Sequence, residues 1–231
     1  MERVLQPELL DELPADDPRA IRSRRDLCRV NAWMENAAIV AGAVRESFPE
    51  APRRIIEIGA GDGKFLLQVA RHLGARSMAP QTNALLVDRQ ALLQPETQEH
   101  FERFNWKVCA VKADVFDFFE SRPESADVVI ANLFLHHFSD ERLTELLRRV
   151  REKSRVMIAV EPRRSRFVLF CCRLLWLIGS NAVTRHDAAV SVRAGFAGQE
   201  LSAFWLDNEG WHLTEQPTGL FSHLFVARRK D

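Results

Sequence analysis

Arg53-Arg54-Ile55-Ile56-Glu57-Ile58-Gly59-Ala60-Gly61-Asp62-Gly63-Lys64-Phe65-Leu66-Leu67 is the stretch that decides the fold. β-branched residues lead into a glycine-rich turn, and an apolar-rich run follows as far as Leu73, with Gly74 as its natural stop. The pattern is strand, glycine turn, helix. Glycines let the chain turn tightly and let a ligand approach bare backbone. The helix start behind them offers free N–H groups and favours negative charge.

The glycines are spaced G-x-G-x-G, with Glu57 two residues ahead of the first. A dinucleotide fingerprint reads G-x-G-x-x-G and is shaped for a pyrophosphate. Further strands follow at residues 84–88, 106–112, 126–131 and 155–161, separated by helical patterns. The fourth, Ala126-Asp127-Val128-Val129-Ile130-Ala131, is apolar almost throughout, as expected of a strand buried on both faces. Residues 211–215 and 219–227 are strand-like, and the short link 216–218 suggests a hairpin. Asp88 ends the second strand, where an acid can accept both ribose hydroxyls of a nucleoside. It could instead cap a helix beginning at Gln90. Asp114 precedes a short helical turn at residues 116–121, which it could cap.

With Glu57 and Gly59-Ala60-Gly61-Asp62-Gly63 in place, the chain resembles the class I S-adenosylmethionine-dependent methyltransferases, whose first motif reads E/D-x-G-x-G-x-G. The resemblance covers roughly residues 55–229. It implies an α/β, Rossmann-like fold with a mostly parallel seven-stranded sheet and a C-terminal antiparallel hairpin. A plain dinucleotide-binding fold would not end in that hairpin. By the resemblance, S-adenosylmethionine lies against Glu57, Gly59, Ala60, Gly61, Asp62 and Gly63. Asp88 and Arg89 then serve its ribose, and Ala113, Asp114 and Val115 its adenine. Asn132, Leu133 and His137 stand in the loop after strand four, which in this family faces the methyl group. Leu135-His136-His137 matches the L-H-H that small-molecule members often carry there. No N/D-P-P-F/Y signature is present, which speaks against methylation of nucleic-acid or glutamine amino groups. Neither a catechol-type metal-binding acid cluster nor any other metal site is evident. The implied reaction is metal-independent O-methylation of a small apolar acceptor, aromatic or polyketide- or quinone-like. Arg185-His186-Asp187, the segment 191–196 and Ser23-Arg24-Arg25-Asp26-Leu27 resemble bacterial methyltransferases of polyketide and quinone pathways. C-methylation, a non-catalytic cofactor-binding module and an NAD-dependent dehydrogenase are the alternatives.

Seven histidines are present. His136 follows strand four on the sheet edge where open α/β folds bind ligands. Glu161 ends strand five and could orient the His136 imidazole. The first-ranked base is therefore His136, with Glu161 as its partner, and His186 beside Asp187 is the second. In the 231-residue chain, 32 basic residues balance 32 acidic ones, which argues against a general nucleic-acid binder. Four cysteines without C-x-x-C spacing point to buried free thiols in a reducing compartment, the cytoplasm. The N-terminus is acidic and broken by prolines, unlike a signal peptide.

Residues 1–50 read as a helical arm or lid, with Asp17 and Pro18 starting its main helix and Trp33 and Met34 placed to touch substrate. Residues 51–231 read as one domain, with an apolar insertion at 162–195. The run Phe167-Val168-Leu169-Phe170-Cys171-Cys172-Arg173-Leu174 and onward to Ile178 is apolar on most sides. Such a helix should be buried or cover something greasy. It is expected to cap the substrate pocket, with Phe170 and Leu174 lining it. A helix lying on a membrane surface is the rival reading.

Overall fold

A computed structural model of the chain describes residues 1–14, 16–74, 81–90, 92–121, 125–206 and 208–230. Side chains 11, 12, 28, 31 and 32 lie outside that description, so the expectation for Cys28 does too. Parts of the connection before strand two and of the helix expected after Asp88 also fall outside the described residues.

The chain runs α1 (Leu9–Glu12), α2 (Pro18–Met34), α3 (Asn36–Ser47), β1 (Arg54–Ile58), α4 (Lys64–Leu73), β2 (Thr82–Asp88), α5 (Pro95–Glu102) and β3 (Trp106–Lys112). It continues with α6 (Val115–Ser121), β4 (Ala126–Asn132), a 3-10 turn (Leu135–His137), α7 (Asp140–Lys153), β5 (Ser154–Pro162) and α8 (Arg166–Leu174). A second 3-10 turn (Leu175–Ile178), α9 (Ala182–Ala194), α10 (Glu200–Phe204), β6 (Trp211–Thr218) and β7 (Ser222–Arg229) complete it.

The strands form one seven-stranded sheet in the order β3-β2-β1-β4-β5-β7-β6. β1 to β5 are parallel, and β7 runs antiparallel between β5 and β6. Successive residues of a strand face opposite sides of the sheet. Ile56, Ile58 and Val129 accordingly join Phe116, Leu143, Leu147 and Phe225 on one face. Ile55, Val128 and Ile130 join Val40, Val44, Leu66 and Phe101 on the other. The strand order reverses between β1 and β4, and open α/β sheets hold ligands in the crevice at such a point. Both the glycine turn and the Leu-His-His segment open onto it.

Three expectations are corrected. The hairpin turn falls at residues 219–221, not 216–218, and Pro217 lies inside β6. An edge strand tolerates proline because one row of its N–H groups has no neighbour to meet. The long N-terminal helix breaks at Glu35, which takes a left-handed conformation (φ 54°) and re-aims everything after it. Of the three cysteines whose side chains are described, all free, only Cys172 is buried; Cys109 faces outward on edge strand β3.

The arm is fastened at two places. Arg3 donates to the carbonyls of Ala194 (2.8 Å) and Phe138 (2.7 Å) and pairs with Asp140 (2.6 Å). The buried carboxylate of Asp187 accepts the backbone N–H groups of Leu9 (2.8 Å) and Leu10 (3.0 Å). Between these anchors, residues 5–8 cross the crevice.

Candidate functional site

β1 ends in the glycine turn, and the N–H groups of Gly59 and Ala60 both bond the Val87 carbonyl at the end of β2 (2.9 and 3.2 Å). Gly59, Gly61 and Gly63 all have positive φ. Gly59 is required twice over, because a Cβ there would stand 2.3 Å from the ring of Phe134. Around Gly61 the corresponding space is open. Glu57 lies beneath the turn, and its Oε2 has no hydrogen-bond partner. Burial, then repulsion from Asp62 and Asp88, pushes its carboxyl well above the usual range. A buried carboxyl with a free oxygen at the wall of a cleft is a polar group awaiting a ligand.

Asp88 accepts from Gly61 N–H (3.0 Å) and from Gln90 N–H (2.9 Å), so it ties the glycine turn to the following loop. Arg89 pairs with Asp114 across the mouth (2.5 and 3.0 Å), and Asp114 also accepts from Phe116 N–H (2.9 Å). Burial works against the Asp114 charge, but Arg89 and the Phe116 N–H hold its carboxyl below the usual value. Asp114 caps α6 as expected, whereas among the described residues no helix begins at Gln90, α5 starting at Pro95; Asp88 and Asp114 each bond local backbone and each line the cleft.

After β4 the chain enters Leu133, a non-glycine residue at φ 52°. Such strain persists only where surrounding bonds enforce it. Here Leu133 N–H bonds the Val160 carbonyl (2.9 Å), and Glu161 collects the next N–H groups, Phe134 (3.0 Å) and Leu135 (2.8 Å). Its other oxygen meets His136 Nδ1 at 2.7 Å. That contact puts the proton on Nδ1 and turns Nε2 toward the cleft. Glu8 of the arm lies opposite, 3.7 Å from Nε2, and the Ser191 hydroxyl bonds it. Burial alone would lower the His136 pKa, but the two carboxylates outweigh it and raise it to about 9. His137, its ring 4.2 Å from that of His136, is drawn down to about 4 by the crowding of the cleft walls and by the neighbouring imidazolium.

Two clefts of about 740 and 710 Å³ meet at this point and share Glu8, Gly59, Leu133, His136 and His137. One extends past Val87, Asp88, Arg89, Ala113, Asp114 and Val115. The other extends past Glu57, Ala60, Gly61, Asp62, Asn132 and Ser191. Both have the volume of a small-molecule site. Of the expected cofactor residues, all but Gly63 line one or the other; Gly63 sits behind the turn, its Cβ position 2.8 Å from Leu86.

The expected substrate residues are not brought there. Trp33 is 64% exposed, and neither it nor Met34 lines a cleft; the break at Glu35 presents Asn36, Ala37 and Ala38 instead. Phe170 and Leu174 face solvent on the far side of α9. His186 is exposed and outside both clefts, because Asp187, its partner at 3.0 Å, turns inward to hold the arm. Glu8 is the residue that sequence reasoning missed. Its arrival also gives Glu8, His136 and His137 ligand atoms within 4.8 Å of one another, a grouping of cation-binding type that no local spacing announced.

Residues 56–154 match the methyltransferase domain family. A phenazine O-methyltransferase of Lysobacter antibioticus is 31% identical over 113 residues, which are 48% of this chain and 31% of that protein. The alignment thus spans about a third of the relative's length. The plantazolicin methyltransferase BpumL, solved with S-adenosylhomocysteine (SAH), superposes at TM-score 0.66 with 14% identity, covering 93% of this chain and 92% of that one. An O-methyltransferase family protein from Burkholderia thailandensis gives 0.61 with 17% identity, over 94% and 61% of the two chains. The mitomycin 7-O-methyltransferase MmcR gives 0.56 with 18% identity, over 95% and 60%. The superpositions show a common overall fold. Residues 56–154 are a methyltransferase domain, and the fold built around them is that of the solved methyltransferases.

Proposed function

We propose that this chain is an O-methyltransferase that methylates a hydroxyl of a small apolar acceptor, aromatic or polyketide- or quinone-like, without a metal. The observation that carries the reading is the line Glu161–His136–Glu8 at the point where the two clefts meet. S-adenosylmethionine supplies an electrophilic methyl group on a sulfonium. The residues fit it: the turn 59–63 and the free oxygen of Glu57 suit its amino-acid end, Asp88 its ribose, and Asp114 with Ala113 and Val115 its adenine.

With the leaving group already activated, the protein has to position the acceptor and take its proton. At rest His136 is an imidazolium held between two carboxylates. An acceptor hydroxyl entering at Nε2 displaces Glu8, the imidazole gives up its proton to solvent, and neutral Nε2 takes the hydroxyl proton. Glu161 holds the ring throughout and steadies the cation that forms. The phenazine and mitomycin relatives favour the aromatic acceptor class by name.

The test is methyl transfer from labelled cofactor to a panel of phenols, hydroxyquinones and hydroxypyrones, in the presence of EDTA. Label in an alkali-stable methyl ether is expected, at a rate EDTA does not change. Activity lost to EDTA and restored by zinc would make Glu8, His136 and His137 a metal centre instead.

Glu8→Gln separates the roles of the two carboxylates. With one negative neighbour gone, His136 loses its proton more readily. The ascending limb of kcat/KM against pH should move to lower pH, raising activity at neutrality. The ion pair also stabilises the fold. Its contribution is complete below the ordinary histidine value of 6.5 and is lost as pH rises through about 9. Glu8→Gln should therefore flatten the fall in Tm across that window. An unchanged pH–rate profile would remove Glu8 from the site.

A further inference from the structure

α8 is amphipathic the wrong way round for a surface helix. Val168 and Cys172 point inward against Val192 of α9. Outward, Phe167, Phe170, Leu174 and Leu177 recur at spacings of three and four, which lines them along one face of the helix and the turn that follows. Phe167, Phe170 and Leu177 each leave more than half of their surface in water, as does Trp176 beside them. Ordinary soluble surfaces scatter such residues singly; a contiguous row marks an interaction face.

The charge around this row has one sign. Arg166 and Arg173 flank it on the same face, both exposed and, among the described residues, without an ion-pair partner. Arg22 of α2 reaches the Gly179 carbonyl at its end (2.9 Å) and adds another guanidinium there. No acidic residue occurs anywhere between Glu161 and Asp187. The chain as a whole is neutral, so this basic excess is local. A second copy packed symmetrically on this face would set the arginines against one another with no carboxylate from α8 between them. Phosphate headgroups would meet them instead, while the aromatic and leucine side chains entered the acyl boundary. No described helix is long and apolar enough to cross a membrane, which leaves the surface as the place for such contact.

We propose that the outer face of α8 and the turn 175–178 docks this protein on an anionic lipid bilayer. α9 separates that face from the clefts, and its Val190, Ser191 and Ala194 line them. The docked enzyme therefore holds its acceptor site one helix layer from the membrane, where apolar acceptors partition.

The experiment is co-sedimentation of the full chain with vesicles of phosphatidylcholine alone or mixed with phosphatidylglycerol. Binding to the mixed vesicles, weakened by salt, is expected. Phe170→Asp with Leu174→Asp should abolish it. Arg166→Gln and Arg173→Gln should each weaken it about fivefold. Because these side chains lie outside the clefts, SAH affinity by calorimetry should stay at the wild-type value in every variant, which also certifies that each is folded. Three results would overturn the proposal: no sedimentation of the wild type with mixed vesicles, binding that survives the aspartates, or a dimer in solution that the aspartates dissociate.

Discussion

His136→Ala should lower kcat by about 10²–10⁴-fold, the usual contribution of a general base, and leave SAH affinity close to wild type. A phenol of pKa near 10 is only about 0.1% ionised at neutral pH, a deficit of roughly 4 kcal/mol. The imidazole recovers part of it by taking the proton at Nε2, so the loss should be steepest for weakly acidic acceptors and shallow for acidic ones. Tm at neutral pH should fall, because the buried ion pair is lost, while the local backbone holds. Glu161 would still hold the N–H groups of Phe134 and Leu135, which keep the strained turn at Leu133 in place. Rates against acceptor pKa for wild type and variant provide the measurement. An unchanged kcat and pH profile would sink the assignment of His136. His186 could not take its place without the arm first leaving Asp187.

Asp88→Ala should weaken SAH binding by roughly 2–4 kcal/mol, about 30- to 1,000-fold, allowing for water that replaces part of two charge-assisted bonds. The carboxylate has a second duty, since it accepts from Gly61 and Gln90. Asp88→Asn keeps an acceptor for Gly61 N–H and removes the charge. It should lose less affinity than the alanine variant, and its Tm without ligand should lie below the wild type because its NH2 faces the Gln90 N–H. Calorimetry on both variants resolves the two duties. Near-wild-type affinity in Asp88→Ala would take the residue out of the cofactor site.

The middle of the sheet was readable from sequence because β4 and β5 are buried on both faces. Residues 126–131 and 155–161 have no polar face to blur their limits, and residues 59–63 mark a turn whose first glycine leaves no room for a Cβ. Readability failed wherever tertiary context overrode local pattern. Pro217 looked like a turn residue and sits in an edge strand. Glu35 breaks a helix without glycine or proline to announce it. The row from Phe167 to Leu177 was recognised as unusual, but periodicity states only which side chains share a face, not which face meets solvent. The candidate site divides in the same way. His136 follows β4 and Glu161 lies near the end of neighbouring β5, and topology alone joined them. Glu8 reaches the imidazole from an arm that has no periodicity and whose anchors, Arg3 and Asp187, lie far apart in the chain. Conversely, His186 and Asp187 looked like a pair for catalysis because they are sequence neighbours, and their geometry serves the arm.

The position of β7 has a consequence for how the chain folds as it is made. Glu161, which orients His136, sits at the end of β5, and β5 is paired on one side only until β7 arrives. β7 follows the other six strands in the chain, yet it is an interior strand, and β6 joins the sheet through it. During translation β5 therefore waits with an open hydrogen-bonding edge, and its closure is a long-range, slow pairing. Loss of residues 222–229 would remove a central plank rather than trim a fringe: β6 would detach, and the carboxylate behind the imidazole would stand on a fraying edge.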